Sequence, residues 1–256
     1  MAGQAYVGLS RVTSLNGLFL TGTFKESAFV VAERVTNEYE RLRNHCLLKV
    51  NDIIFEEEFS IALCNVRSLK KHLIDIKADK RFLTSNLILC TETQIGINET
   101  PNIDIDGFDS IMNNAEHKFS SLCVYRKEDI DLTELYRNEG VLLVSLANNH
   151  CSFKVLLCYR KKDWDTRQFY ELIQYLTISY NPTFILGDFN VKPNEELSLR
   201  LDEYIQAVSG PTHIGGSTLD HVYINNNFID NGSCINVDIN SIFFSDHEMI
   251  KIRIKI

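Results

Sequence analysis

The stretch FILGDFN, residues 184–190, decides how the rest of the chain is read. A run of strand character meets a glycine, and an acid and an amide, Asp188 and Asn190, then project together. Glycine lets backbone pass closely at such a point. Polar groups at a strand end sit where a rigid sheet can hold them for binding or catalysis. Taken alone, a plain strand-to-loop turn explains the heptapeptide as well. Its weight comes from the company it keeps.

From Phe59 onward the same pattern recurs in FSIALCNV, NLILCTE, FSSLCVYR, GVLLVSL, SFKVLLCYR, STLDHVYI and EMIKIRIKI. Each run has strand length and β-branched or aromatic content. Few helices separate them. DWDTRQFYELIQYLTISY (163–180) places Phe169, Leu172, Ile173, Leu176 and Ile178 mainly on one face, and Asn181-Pro182 closes it. A second helix is predicted around LKKHLIDIKAD (69–79). Many strands with few helices imply stacked sheets flanked by helices, an α/β class without regular βαβ alternation. No internal repeat is visible.

Polar residues stand at the ends of these runs. Asn65 follows IALC, Glu92 follows LILCT, and Tyr159 and Arg160 follow VLLC. Asp220 lies in STLDHVY, and Asp246 and His247 precede EMIKIRI. Carboxylates and carboxamides without a thiolate pair suit a hard, oxygen-seeking cation such as Mg2+. A histidine beside acids can be held in one tautomer for proton transfer or charge stabilisation. Tyrosine and arginine donors suit phosphate oxygens. Metal-assisted phosphodiester hydrolysis needs this set.

Composition sets outer bounds. The 256 residues, 45% hydrophobic and 23% charged, are ordinary for a globular chain. No run reaches the roughly 20 apolar residues of a membrane helix, and no secretory leader is visible. The seven cysteines (Cys46, Cys64, Cys90, Cys123, Cys151, Cys158, Cys234) form no C-x-x-C pair, and most sit inside apolar runs. They are expected to be free buried thiols without disulfide partners, in a nuclear or cytoplasmic protein that is not secreted. A net charge of −8 argues mildly against a non-specific nucleic-acid coat. It does not exclude a nuclease, because an acidic metal site itself adds negative charge.

In order, CNVRSL, LCTET, CYR, LGDFN, STLDHVY and FSDH resemble the endonuclease/exonuclease/phosphatase superfamily over residues 59–256. That superfamily includes exonuclease III-like abasic-site endonucleases, DNase I and the endonuclease domains of non-LTR retrotransposons. The resemblance implies a four-layer α/β sandwich with two central, mostly antiparallel sheets. It also implies a DNA substrate and in-line attack by water, with Mg2+ as cofactor and Mn2+ as an alternative. Glu92 matches the principal metal-binding glutamate, Asn65 the asparagine supporting metal and phosphate, and Asp246 an acid often assigned to a metal. Asp188 and Asn190 match the pair that orients water and binds the scissile phosphate. His247 matches the essential histidine, with Asp220 as its orienting carboxylate, and Tyr159 the phosphate-contacting tyrosine. Arg160 is grouped with Tyr159 for phosphate or DNA contact. Where many relatives carry proline after that tyrosine, this chain reads YRKKDW. Thr212 and His213 in PTHIGGS resemble a segment of the retrotransposon branch, and His213 is read as a loop residue. A phosphatase or lipid phosphodiesterase of the same superfamily, or a catalytically silent remnant, stays open.

At the other end, GQAYVGLSRVTSLNGLFL (3–20) resembles the last conserved motif of superfamily-1 helicases of the Pif/RecD type, with Gln4 and Arg11 in motif positions. The expected organisation is a helicase C-terminal remnant over 1–44, a junction over 45–58 and the nuclease-like domain over 59–256. No G-x-x-x-x-G-K-[ST] phosphate loop occurs in the chain, so no ATPase activity is expected from it alone. A helicase tail joined to such a domain resembles Helitron-type (helentron) transposon proteins. An in-frame helicase upstream of Met1 is the expectation if the chain is a truncated copy.

Overall fold

In the computed structural model, residues 58–149, 151–230 and 232–255 are described. The helicase-like segment with Gln4 and Arg11, and the junction up to residue 57, lie outside the described residues. The first six strands in chain order are β1 (Glu58–Asn65), β2 (Leu87–Thr91), β3 (Phe108–Asn113), β4 (Leu122–Lys127), β5 (Asp131–Asn138) and β6 (Val141–Ala147). They are followed by β7 (Ser152–Tyr159), β8 (Phe184–Asp188), β9 (Tyr204–Gln206), β10 (Asp220–Asn225), β11 (Cys234–Asn240) and β12 (Met249–Lys255). They form two six-stranded sheets, in the orders β11-β12-β1-β2-β4-β3 and β5-β6-β7-β8-β10-β9.

Both sheets are mostly antiparallel, and each contains one parallel pair. β1 runs parallel to β2, with Asn65 opposite Thr91. β7 runs parallel to β8, with Tyr159 opposite Asp188. A parallel pair brings two C-terminal ends to the same edge of a sheet, so polar residues following both strands emerge together.

The core has three apolar layers. Phe59, Ile61 and Leu63 of β1 alternate inward with Leu142 and Val144 of β6, Val155 and Leu157 of β7, and Ile250, Ile252 and Ile254 of β12. These form the layer between the sheets, where each fully buried Leu or Ile contributes roughly 1.5–3 kcal/mol. The outer face of the first sheet meets helices α1 (Leu69–Ala78) and α2 (Lys80–Leu83) through Leu69, Ile76 and Phe82. The outer face of the second meets α3 (Thr166–Tyr180) and α4 (Glu195–Arg200) through Phe169, Tyr170, Ile173, Leu176 and Leu197. A short α5 (Asn226–Asp230) follows β10. The layers run helix, sheet, sheet, helix, as the α/β sandwich expectation requires.

Asp165 accepts from Gln168 N to start α3, and Asn181 at φ 47° stops it. One expected core position is wrong. Ile178 is 79% exposed, and Tyr170 takes the buried place instead. Ile178 lies off the stripe set by Phe169, Ile173 and Leu176, which advances by three and four residues. Among the described residues, no helix is long and apolar enough to cross a membrane. Cys64, Cys90, Cys123 and Cys158 are buried, Cys151 is half-buried and Cys234 is exposed, all as free thiols.

Candidate active site

The two parallel pairs deliver their ends to one place. Asn65, fully buried at the end of β1, donates from Nδ2 to Asp188 Oδ2 at 2.9 Å across the two sheets. Asn65 Oδ1 accepts from Arg67 N at 3.1 Å. Beyond β2, Glu92 stands at φ 50°, and its Oε1 accepts from the Tyr159 hydroxyl at 2.9 Å. Non-glycine residues at positive φ are uncommon and strained, and they cluster at functional sites. Here Arg67, Glu92 and Asn190, each just past a strand of a parallel pair, share that conformation.

Asp188 is the centre of the network. Its Oδ1 accepts from Asn190 N at 2.8 Å, and Oδ2 accepts from Asn65 and, at 3.2 Å, from Asn190 Nδ2. Burial, with the neighbouring Asp220 charge, raises the Asp188 carboxyl above the usual range. The glycine before it is forced. Gly187 has φ +140°, and a Cβ there would stand 1.8 Å from the carbonyl oxygen of Cys158.

His247 lies between the acids. Nδ1 meets Asp220 Oδ2 at 2.8 Å, and Nε2 is 3.9 Å from Asp188 Oδ2. Burial alone would lower its pKa. The hydrogen bond and charge of Asp220, with the charges of Asp188 and Asp246, outweigh burial and raise it to about 9. That balance of charges favours the imidazolium form. Burial, followed by the Glu92 charge, pushes the Tyr159 phenol well up, so its hydroxyl stays a donor.

Two expectations take a different shape. Arg160 is not brought into the cleft. It is 5% exposed, and its guanidinium turns inward to donate to three carbonyls: Phe189 at 2.8 Å, Trp164 at 2.7 Å and Asn190 at 3.1 Å. Its own carbonyl accepts from Asn190 Nδ2 at 2.9 Å. Arg160 thus braces the loop carrying Asn190, because these buried or partly buried carbonyls need donors. His213, read as a loop residue, stands beside the acids. Its Nε2 is 3.5 Å from Asp246 Oδ2, and its ring packs edge-on against His247 at 5.0 Å. Thr212 Oγ1 accepts from the backbone of Leu219 and Asp220, both at 3.0 Å. The loop's Gly-Gly pair was the available signal, since it marks a backbone forced into a special turn.

The residues present fit a hard divalent cation. Glu92, Asp246 and Asn65 offer oxygens, and buried Asp246 Oδ1 has no hydrogen-bond partner. His213, Asp246 and His247, and separately Asp188, Asp220 and His247, bring ligand atoms within 4.8 Å of one another. The combination of acids, a cationic histidine and donors aimed around one cleft can bind a phosphate and stabilise added charge on it.

A sequence model described as Endonuclease/Exonuclease/phosphatase family matches residues 119–247. No curated protein sequence matches the chain significantly. Among solved structures, the endonuclease domain of TRAS1, a telomere-specific non-LTR retrotransposon, aligns with a TM-score of 0.64 at 15% identity. That alignment covers 77% of this chain and 98% of the other. The Xenopus laevis APE2 catalytic domain aligns at 0.61 and 12% identity, over 77% and 92% of the two chains. An AP endonuclease from Archaeoglobus fulgidus aligns at 0.57 and 15%, over 76% and 98%. At such identities the likeness is one of fold.

Proposed function

The chain belongs to the endonuclease/exonuclease/phosphatase family, and from that premise we propose that it is a Mg2+-dependent DNA endonuclease. The observation that supports this most is the Asn65–Asp188 bond at 2.9 Å, which ties the ends of the two sheets into one polar cluster. Asp220 holds His247 through Nδ1, so Nε2–H is free to donate to a non-bridging phosphate oxygen. The imidazolium then stabilises the negative charge that grows during in-line attack. Asp188 is an acceptor whose raised pKa suits it to take a proton from the attacking water. Asn190, held at 3.2 Å from Asp188, orients that water and the phosphate. The Tyr159 hydroxyl, held by Glu92, is a further phosphate donor. Glu92 and Asp246, with Asn65, would hold Mg2+, or Mn2+ in its place, which supplies Lewis-acid neutralisation of the phosphate.

The helicase-like segment with Gln4 and Arg11 supports descent from a helicase-endonuclease transposon protein acting on DNA in a reducing, nuclear or cytoplasmic compartment. The domain boundaries proposed are 1–44, 45–58 and 59–256. Purified chain should nick supercoiled plasmid with Mg2+, EDTA should abolish nicking, and His247→Ala should reduce it steeply. A folded chain without phosphodiesterase activity on any nucleic acid would sink the proposal. DNA-stimulated ATP hydrolysis by this chain alone would refute the reading of the segment as an inert remnant.

A further inference from the structure

The turn at residues 212–217 is built around one side chain. Thr212 N and His213 N both bond Ser217 O at 3.0 Å, and Gly216 N bonds His213 O at 2.9 Å. Gly216 has φ +77°, a conformation that favours glycine. Gly215 N donates to His213 Nδ1 at 2.9 Å, and a Cβ at 215 would stand only 3.0 Å from that nitrogen. Both glycines therefore serve the approach of backbone to the imidazole.

That approach settles the tautomer. Nδ1 accepts a backbone hydrogen, so in the neutral ring the proton resides on Nε2. Nε2 in turn is the nitrogen 3.5 Å from Asp246 Oδ2. The turn is also stitched to the segment that carries Asp246. Ile214 N bonds Asp246 O at 2.9 Å, Glu248 N bonds Thr212 O at 2.7 Å, and His213 and His247 form an antiparallel bridge. From the opposite side Arg67 Nη1 donates to the same Oδ2 at 2.5 Å. Arg67 bonds that oxygen directly, and the His213 ring nitrogen stands at the outer limit of hydrogen-bond distance from it. The other carboxylate oxygen, Oδ1, is buried and has no partner.

We propose that His213 is a positioning residue: with Arg67 it clamps Asp246 Oδ2, leaving Oδ1 as the bare acceptor for the divalent cation. This rests on the functional reading above. A ligand held from outside in this way binds metal more tightly because less of its freedom is lost on binding. In this role His213 supports a ligand of the cation instead of serving as one. Its effect travels through Asp246.

Two substitutions separate the clamp from the turn. In His213→Asn, the amide oxygen can take the Gly215 N–H in place of Nδ1, but nothing replaces Nε2–H. In His213→Gln, the longer amide brings a donor to the Nε2 position. Mn2+ binding to the full chain, followed by electron paramagnetic resonance without substrate, should weaken about tenfold in His213→Asn. It should recover in His213→Gln, with thermal unfolding in EDTA unchanged in both. In an Asp246→Asn background, His213→Asn should have no further effect. Unchanged Mn2+ affinity in a folded His213→Asn, or an equal loss in the Asp246→Asn background, would overturn the clamp while plasmid nicking by wild type still stood. Wild-type chain that neither binds Mn2+ nor nicks DNA would defeat the functional reading and the clamp together.

Discussion

The two sheets are built to one plan and finished differently. In each, a parallel pair sits third and fourth in the strand order, flanked on both sides by antiparallel neighbours. At the end of the second sheet's pair and the start of the neighbouring β10, Asp188 and Asp220 are fully buried and Arg160 nearly so, and both Asp188 oxygens accept hydrogen bonds. Past the first sheet's pair, Glu92 is half-buried and the Arg67 side chain is 53% exposed; Asp246, just before the neighbouring β12, has a side chain 24% exposed. The second half is a finished network that tolerates little change. The first half leaves more of its polar side chains exposed.

The largest expected effect breaks the rigid half. Gly187→Ala forces a Cβ into the Cys158 carbonyl, and it should cost more than about 4 kcal/mol, leaving no cooperative thermal transition. A transition within a few degrees of wild type would mean the β7–β8 pair can yield. Next, His247→Ala, where the halves meet, should reduce plasmid nicking about 10³-fold with folding intact. The Mg2+ concentration for half-maximal nicking should change far less.

The two arginines just past equivalent strands sharpen the contrast. Arg160→Met leaves one buried and two partly buried carbonyls without donors and should destabilise by about 3 kcal/mol in urea unfolding. Arg67→Ala removes a half-exposed ion pair and should change stability by no more than about 0.5–1 kcal/mol. Equal losses would erase the distinction drawn between the sheets.

A further effect, absent at neutral pH, appears only on acidification. His221, stacked on Phe189 at 4.5 Å and bonded to Val191 O, belongs to the buried half. Burial pulls its pKa down to about 4, against the pull of the Val191 bond and the Asp220 charge. The unfolded chain, with an ordinary histidine near 6.5, takes up the proton first. Stability from this group is therefore complete above about pH 6.5 and lost as pH falls toward 4, by about 3 kcal/mol at most. In His221→Gln, urea unfolding should show a shallower decline over that interval.

Eight apolar runs in the sequence correspond to β1, β2, β4, β6, β7, β8, β10 and β12, the eight interior strands of the two sheets. The four strands without a clear signal, β3, β5, β9 and β11, are the four edges. Interior strands are covered on both faces and read as continuous apolar runs. β5, DLTELYRN, mixes charges into every few positions because an edge strand partly faces water. The parallel pairing, which the two sheets share, left no repeat in the residues because pairing is a property of backbone.

The site shows the same division. Asp188, Asn190, Asp220 and His247 could be picked out because each is a polar residue interrupting or ending an apolar run, and burying such a group demands a partner. Apart from the His247–Asp220 pairing, which the family resemblance implied, the partner each one finds was not legible. Arg160 looks like a phosphate donor in a linear chain, yet its guanidinium turns to the carbonyls of Phe189, Asn190 and Trp164. His213 looks like a turn residue, yet the turn closes onto Asp246. The residue types, their order and the layered fold class were set by the sequence, because hydrophobic period and strand-end polarity are local. The Asn65–Asp188 junction, separated by 123 residues in the chain, and the roles of Arg160 and His213 were decided only by tertiary structure. A side chain's work depends on which unsatisfied group meets it, and that meeting is made by the packing of two sheets.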